Sequence, residues 1–173
     1  MTKKDSPAGG FSHLDERGEL RMVDVSGKDA TVRTAIAGGE VRVSPELAGR
    51  LHRGEVAKGN VFAAAHAAGV LAAKRTAELI PLCHPLLLDQ IHLAFDLRAE
   101  VVEISARVRL TGRTGAEMEA LTAVSVAALT IYDMCKAIDR EMVIGNIRLI
   151  EKEGGRAGHF RRARPGAPRG GKA

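Results

Sequence analysis

Ile91-His-Leu-Ala-Phe-Asp-Leu97 and Val102-Glu-Ile-Ser-Ala-Arg-Val-Arg-Leu110 each place an apolar side chain at every second position. Successive side chains of an extended chain point to opposite faces. This alternation therefore predicts two strands with one face on a core and the other in water. The short connection around Arg98–Val101 predicts that they pair antiparallel, as a hairpin.

On the N-terminal side of this hairpin, Asn60 can cap an alanine-rich helix running from Val61 to about Leu79. Pro81 helps to end it, because the residue before a proline avoids the helical region. Pro81-Leu-Cys-His84-Pro85 then forms a rigid bracket outside helix and strand. Earlier still, Ser44-Pro45-Glu46 starts a short helix, with serine as N-cap and proline at the first helical position, ending near Gly54. Val32, Thr34 and Ile36 alternate, Gly38-Gly39 follow, then Val41 and Val43, a pattern that predicts a second hairpin. Arg21–Ser26 is a short apolar segment interrupted by Asp24.

On the C-terminal side, Thr114-Gly-Ala-Glu117 matches a capping box and opens a segment to Asp139 that is apolar nearly all round, except for Asp133 and Lys136. A helix apolar on every face is buried on every face. Asn146–Lys152 supplies a last strand through Ile147 and Leu149. The order is strand, helix, strand, strand, helix, strand, with an extra strand in front. It fits an α+β fold: a ferredoxin-like split βαβ sandwich with an antiparallel sheet and an additional N-terminal strand. One sheet cannot cover the long helix on all sides, so a second subunit is expected to. The expected organisation is a flexible start at 1–10, one domain over 11–160 and a basic disordered tail at 161–173.

With 173 residues, 45% hydrophobic and 27% charged, the chain is expected to be a single globular domain. We find no apolar run expected to span a bilayer and no h-region near Met1, which points to a cytoplasmic protein. The net charge of +5 lies in the tail, where Arg161, Arg162, Arg164, Arg169 and Lys172 face no acid. Nucleic-acid binding is not expected: there is no Trp, one Tyr and four Phe, too few for a stacking platform. Cys83 and Cys135 have no CxxC spacing and read as buried free thiols of a reducing compartment.

Met118, Thr122, Ser125, Leu129, Asp133 and Lys136 fall along one stripe of the long helix, with Glu119 at its edge. Asp133 and Lys136 are neighbours on a helix. Buried together, they suit acid/base chemistry, and equally suit an internal salt bridge at a subunit interface. Lys58 and Gly59 precede a helix N-terminus, where a phosphate is stabilised. Lys74 and Arg75 complement the dipole at the other end of that helix. His84 is fixed between two prolines, and no ligand spacing around it supports zinc.

Several ordered motifs then carry a resemblance. They are Met22-Val-Asp-Val-Ser26, Lys58-Gly-Asn-Val-Phe62, Ala73-Lys-Arg-Thr76, Leu79-Ile-Pro-Leu-Cys-His-Pro85, Leu110-Thr-Gly-Arg-Thr-Gly115, Glu117-Met-Glu-Ala-Leu-Thr122 and Leu129-Thr-Ile-Tyr-Asp-Met-Cys-Lys-Ala137. From about Phe11 to Phe160 the chain resembles the MoaC family, the cyclic pyranopterin monophosphate synthases of molybdenum cofactor biosynthesis. The resemblance implies conversion of 3′,8-cyclo-7,8-dihydroguanosine 5′-triphosphate to cyclic pyranopterin monophosphate with release of pyrophosphate. It implies a ferredoxin-like homohexamer, a trimer of dimers, with active sites at subunit interfaces. By motif it places catalytic roles on Asp133, Lys136 and Lys58. It places substrate contacts on Leu82, Cys83, His84, Met118 and Glu119, and a further functional lysine on Lys74. Arg75 joins Lys58, Lys74 and His84 as a cation suited to the triphosphate. Ala57 and Asn60 depart from the His and Asp that relatives often carry around Lys58. No cofactor is expected. Mg²⁺ can arrive with the triphosphate, and no carboxylate cluster calls for a protein-bound metal.

Overall fold

A computed structural model describes residues 18–155 and 158–163. The expected flexible start at 1–10 and positions 164–173 of the tail lie outside them. The elements are β1 (Thr31–Arg42), α1 (Pro45–Arg53), α2 (Val61–Lys74), α3 (Thr76–Leu79), β2 (Gln90–Arg98), β3 (Val101–Gly112), α4 (Glu117–Cys135), β4 (Val143–Glu153) and β5 (Phe160–Arg161). They form an antiparallel five-stranded sheet in the order β2-β3-β1-β4-β5.

The alternating pair forms as expected. Leu93 lies opposite Ala106, Phe95 opposite Ile104 and Leu97 opposite Val102. Val102, Ile104, Ala106, Val108 and Leu110 are buried beneath the helices, while Glu103, Ser105, Arg107 and Arg109 face solvent on the far side. α4 packs over β1, β3 and β4, and α2 lies beside it over β2.

The second predicted hairpin does not form. Val32 to Val41 run in one twelve-residue strand, and Gly38-Gly39 sit in its middle. A Cβ on Gly38 would lie 2.7 Å from Ile150 Cδ1, and one on Gly39 2.7 Å from Val124 Cγ1. The glycines let β4 and α4 side chains press onto the β1 backbone, a second use of glycine in strands beside the tight turn. The β1–β4 register shifts on either side of this point. The additional N-terminal strand is therefore absent among the described residues. The fifth strand is instead β5, at the other end of the chain and on the outer edge of β4.

Local caps account for most helix limits. The Leu47 N–H donates to Ser44 Oγ at 3.3 Å, and Gly54 closes α1 at φ 68°. The Ala63 N–H donates to Asn60 Oδ1 at 3.0 Å. α2 stops at Lys74, short of the expected Leu79, and the single turn of α3 follows. The Thr76 hydroxyl there donates back to the Ala73 carbonyl at 3.0 Å. At α4 the capping box is not made. The helix begins after Ala116 without a side-chain cap, Glu117 accepts instead from Lys152 Nζ at 2.7 Å, and the Thr114 hydroxyl is buried without a partner. An ion pair to β4 has taken the acid that the cap would use.

α4 buries Ala120, Ala123, Val124, Ala127, Ala128, Ile131 and Cys135. Its small residues admit α2 closely: a Cβ on Gly69 would meet the Ala123 carbonyl oxygen at 3.0 Å. The opposite stripe is open in part, with Thr122 buried and Ser125 part-buried along it. Leu129 is 58% exposed, and Met118, Asp133 and Lys136 also reach solvent. Within one chain, then, the helix is covered on one side only. Contrary to the expectation that no such run exists, α4 is long and apolar enough to cross a bilayer; here it is the central helix over the sheet.

Candidate active site

Lys58 precedes α2, and Asp133 lies in the last turn of α4, with Lys136 capping its end. The two helices run antiparallel, which brings these three residues together. Lys58 Nζ donates to the Asp133 carbonyl at 2.8 Å and lies 3.6 Å from Asp133 Oδ2. Lys136 Nζ lies 2.7 Å from Asp133 Oδ1. Gly59 follows at φ +97°, a turn that suits glycine and swings Lys58 toward α4.

Contrary to expectation, Asp133 and Lys136 are not buried. The Asp133 and Lys136 side chains are 62% and 52% exposed. Pairing, not desolvation, sets their protonation. The hydrogen bond and charge of Lys136, then the charge of Lys58, hold the Asp133 carboxyl below its ordinary range. The same hydrogen bond and charge of Asp133 hold Lys136 above its ordinary range. The pair therefore persists through neutral pH. It is lost as pH falls through the lowered Asp133 value or rises through the raised Lys136 value.

Asp139 is a positioning residue that the sequence did not single out. It is buried and accepts the Ser44 N–H at 2.7 Å and the Glu141 N–H at 2.9 Å. These bonds tie the turn after α4 to the start of α1 and so fix the backbone beside Lys136. An aspartate after a helix carries no sequence signal for such a long-range contact.

A second group gathers at the other end of the α2–α4 pair. Lys74, Arg75 and Glu119 line one cavity of about 180 Å³ with Pro85 and Leu87. Glu119 is only 3% exposed, and burial pushes its carboxyl up. Burial, and then the charge of Glu119, push the Cys83 thiol up. Burial raises Cys135 to about 11. Leu82 and His84 are part-buried in the same bracket. The Ser26 N–H, at 2.8 Å, is the main cause that holds the Asp24 carboxyl below its ordinary range.

The expected site residues thus form two groups, Lys58/Asp133/Lys136 and Lys74/Arg75/Cys83/Glu119, at opposite ends of two antiparallel helices. At 1.5 Å per residue, α2 from Val61 to Lys74 is roughly 20 Å long, and Glu119 and Lys136 stand roughly 25 Å apart. One chain does not bring them together.

The sequence matches the MoaC family over residues 22–155. It is 61% identical over 155 residues to the cyclic pyranopterin monophosphate synthase of Pelotomaculum thermopropionicum, covering 88% of this chain and 91% of that protein. It is 63% identical to the protein of the same name from a Roseiflexus species, covering 87% and 96%. A third relative of that name, from Heliobacterium modesticaldum, is 56% identical with the same coverage, 87% and 96%.

Proposed function

Since the chain belongs to the MoaC family, we infer that it carries out the reaction its relatives are named for. It is a lyase of molybdenum cofactor biosynthesis. It converts 3′,8-cyclo-7,8-dihydroguanosine 5′-triphosphate to cyclic pyranopterin monophosphate and releases pyrophosphate. The observation in the structure that carries this reading is the Lys58–Asp133–Lys136 group, an exposed pair of lysines organised by one carboxylate.

In our reading these three are the catalytic residues. The triphosphate is strongly anionic, and the lysines compensate its charge. Rearranging the purine-derived rings needs proton transfers at several atoms, and a lysine whose carboxylate partner can yield to substrate suits that work. Pyrophosphate departs with negative charge, which positioned cations stabilise. Leu82, Cys83, His84, Met118, Glu119, Lys74 and Arg75 form the complementary part of the substrate site. Any Mg²⁺ travels with the triphosphate.

The separation of the two groups supports the assembly proposed from sequence, a homohexamer built as a trimer of dimers. A site combining both groups needs one from each of two copies. The open stripe of α4 around Leu129, and the exposed Leu71 on α2, support burial against another copy. The strand order β2-β3-β1-β4, with α2 and α4 as the crossings, supports a ferredoxin-like arrangement extended by β5. Two free thiols support a cytoplasmic location.

Pyrophosphate release with detection of the pterin product, from enzymatically prepared substrate, tests the activity. Turnover is expected from the full-length chain. A correctly assembled protein that releases neither product would remove the activity and leave an oligomeric scaffold whose Asp133–Lys136 pair is structural.

A further inference from the structure

We propose that Glu151, Glu153 and His159 bind a divalent transition-metal cation of the zinc class on the sheet face away from the helices, and that the ion fastens β5 to β4. One ligand atom from each of the three residues lies within 4.8 Å of the other two. His159 Nε2 stands 2.7 Å from Glu151 Oε1 and 3.7 Å from Glu153 Oε1. One imidazole thus meets two carboxylates from neighbouring turns of the pleat.

The backbone builds this arrangement. Glu151 and Glu153 are two residues apart on β4 and so share a face. Lys152 between them turns to the other face, where it pairs with Glu117 of α4. The β4–β5 register sets Glu151 opposite Arg161 and Lys152 opposite Phe160, and one further step sets Glu153 opposite His159. Gly154 and Gly155 turn the chain at φ +95° and +73°. A Cβ on Gly154 would run into the Val32 carbonyl oxygen, so the glycine lets the turn press against the start of β1. Beyond His159, the Arg162 N–H donates to the Ile150 carbonyl at 2.8 Å and its Nε–H to the Leu149 carbonyl at 2.7 Å. The ligands therefore stand on backbone that is held on both sides of the hairpin. Glu153 and His159 become neighbours only through this register, which is why the order of residues does not announce the cluster.

Among the described residues neither carboxylate pairs with a lysine or an arginine, and both turn to the same imidazole. Two carboxylates aimed at one point repel each other, and a single imidazolium offsets only one of them. A dication offsets both, with the imidazole as a neutral ligand. The nitrogen donor favours zinc and its neighbours over magnesium and calcium, which take oxygen ligands and more of them. Zinc bonds of about 2.0–2.2 Å place tetrahedral ligand atoms roughly 3.3 Å apart, so the side chains reach an ion by small shifts. Three protein ligands leave a fourth position to water. The Glu153 and His159 side chains are more than half exposed, which gives the ion a way in. The ion has work to do here, because β5 is only two residues long and lies at the edge of the sheet. A bridge from two residues of β4 to the residue preceding β5 holds that edge in place.

The test is calorimetric titration of Zn²⁺ into chelator-stripped, untagged full-length protein in its assembled state, with Mg²⁺ and Ca²⁺ in parallel. Hydrogen exchange at the Arg162 amide reads the hairpin. One Zn²⁺ per chain is expected to bind, and the hard cations far more weakly. His159→Ala and Glu153→Gln should each weaken zinc by on the order of a hundredfold, at least what the loss of a ligand's outer partner costs. His52→Ala, which removes an exposed imidazole of α1, should leave binding unchanged. At free Zn²⁺ of about a hundred times Kd, exchange at Arg162 should slow by about a hundredfold, and His159→Ala should abolish the effect. Circular dichroism and oligomer size confirm that the variants fold. The proposal is overturned if zinc does not bind, or if His159→Ala and Glu153→Gln bind it as wild type does, since the ion is then held elsewhere. Mg²⁺ binding as tight as Zn²⁺ overturns the class of cation. Zinc binding that leaves Arg162 exchange unchanged overturns the fastening of β5.

Discussion

Lys136→Ala is expected to lower turnover by on the order of a thousandfold while the fold and assembly stay intact. Lys136 is at the solvent-facing end of α4 and touches the rest of the chain through Asp133. Removing it opens no cavity and strands no buried charge. In the proposed reaction it transfers a proton and meets an anionic substrate, work that water replaces poorly. Lys58→Ala should behave alike, since its ammonium reaches the same aspartate from α2. Asp133→Asn should also lose activity. Its exposure removes the unfolding risk that a buried ion pair would have carried. Pyrophosphate release gives the rate, while circular dichroism and oligomer size report the fold. A Lys136→Ala protein with the wild-type rate would exclude Lys136 from the chemistry.

Gly39→Val is expected to destabilise the chain by about 3 kcal/mol. A Cβ at this position already falls 2.7 Å from Val124 Cγ1 and 3.2 Å from Ile147 Cγ1, so a branched side chain must push α4 off the sheet. The cost is one of space. It should therefore couple to its neighbour: with Val124→Ala the two losses should sum to more than the double variant shows. Urea unfolding of the four proteins of this cycle measures the coupling. Strict additivity would mean that Gly39 is needed for some reason other than the approach of α4.

Gly39 also shows where the sequence misleads. A Gly-Gly pair between alternating apolar residues is a hairpin pattern, and nothing local distinguishes a turn from a strand pressed by a distant helix. The hairpin from Ile91 to Leu110 was legible because period and partner lie close together in sequence. The helix starts at Ser44 and Asn60 were legible because a cap is a local bond. The capping box at Thr114 failed for the converse reason, since Lys152 on β4 claims Glu117 across the fold.

The site followed the same division. The pairing of Asp133 with Lys136 is helical spacing and was readable. Its exposure was not, because an apolar composition does not reveal which side of a helix meets the sheet. Lys58 joined the pair only through the antiparallel packing of α2 on α4. Asp139 depends on the turn after α4, whose course no periodicity predicts.

In the proposed assembly the working site takes Lys58, Asp133 and Lys136 from one copy and the Glu119 group from another. Mixed assemblies of Lys136→Ala and Glu119→Gln chains test it most directly. Each variant alone is expected to be inactive. In an equal mixture roughly a quarter of the shared sites carry both intact halves, so activity should return to about that fraction of wild type. Mixed assemblies of verified composition that stay as inactive as their parents would contradict a site shared between copies.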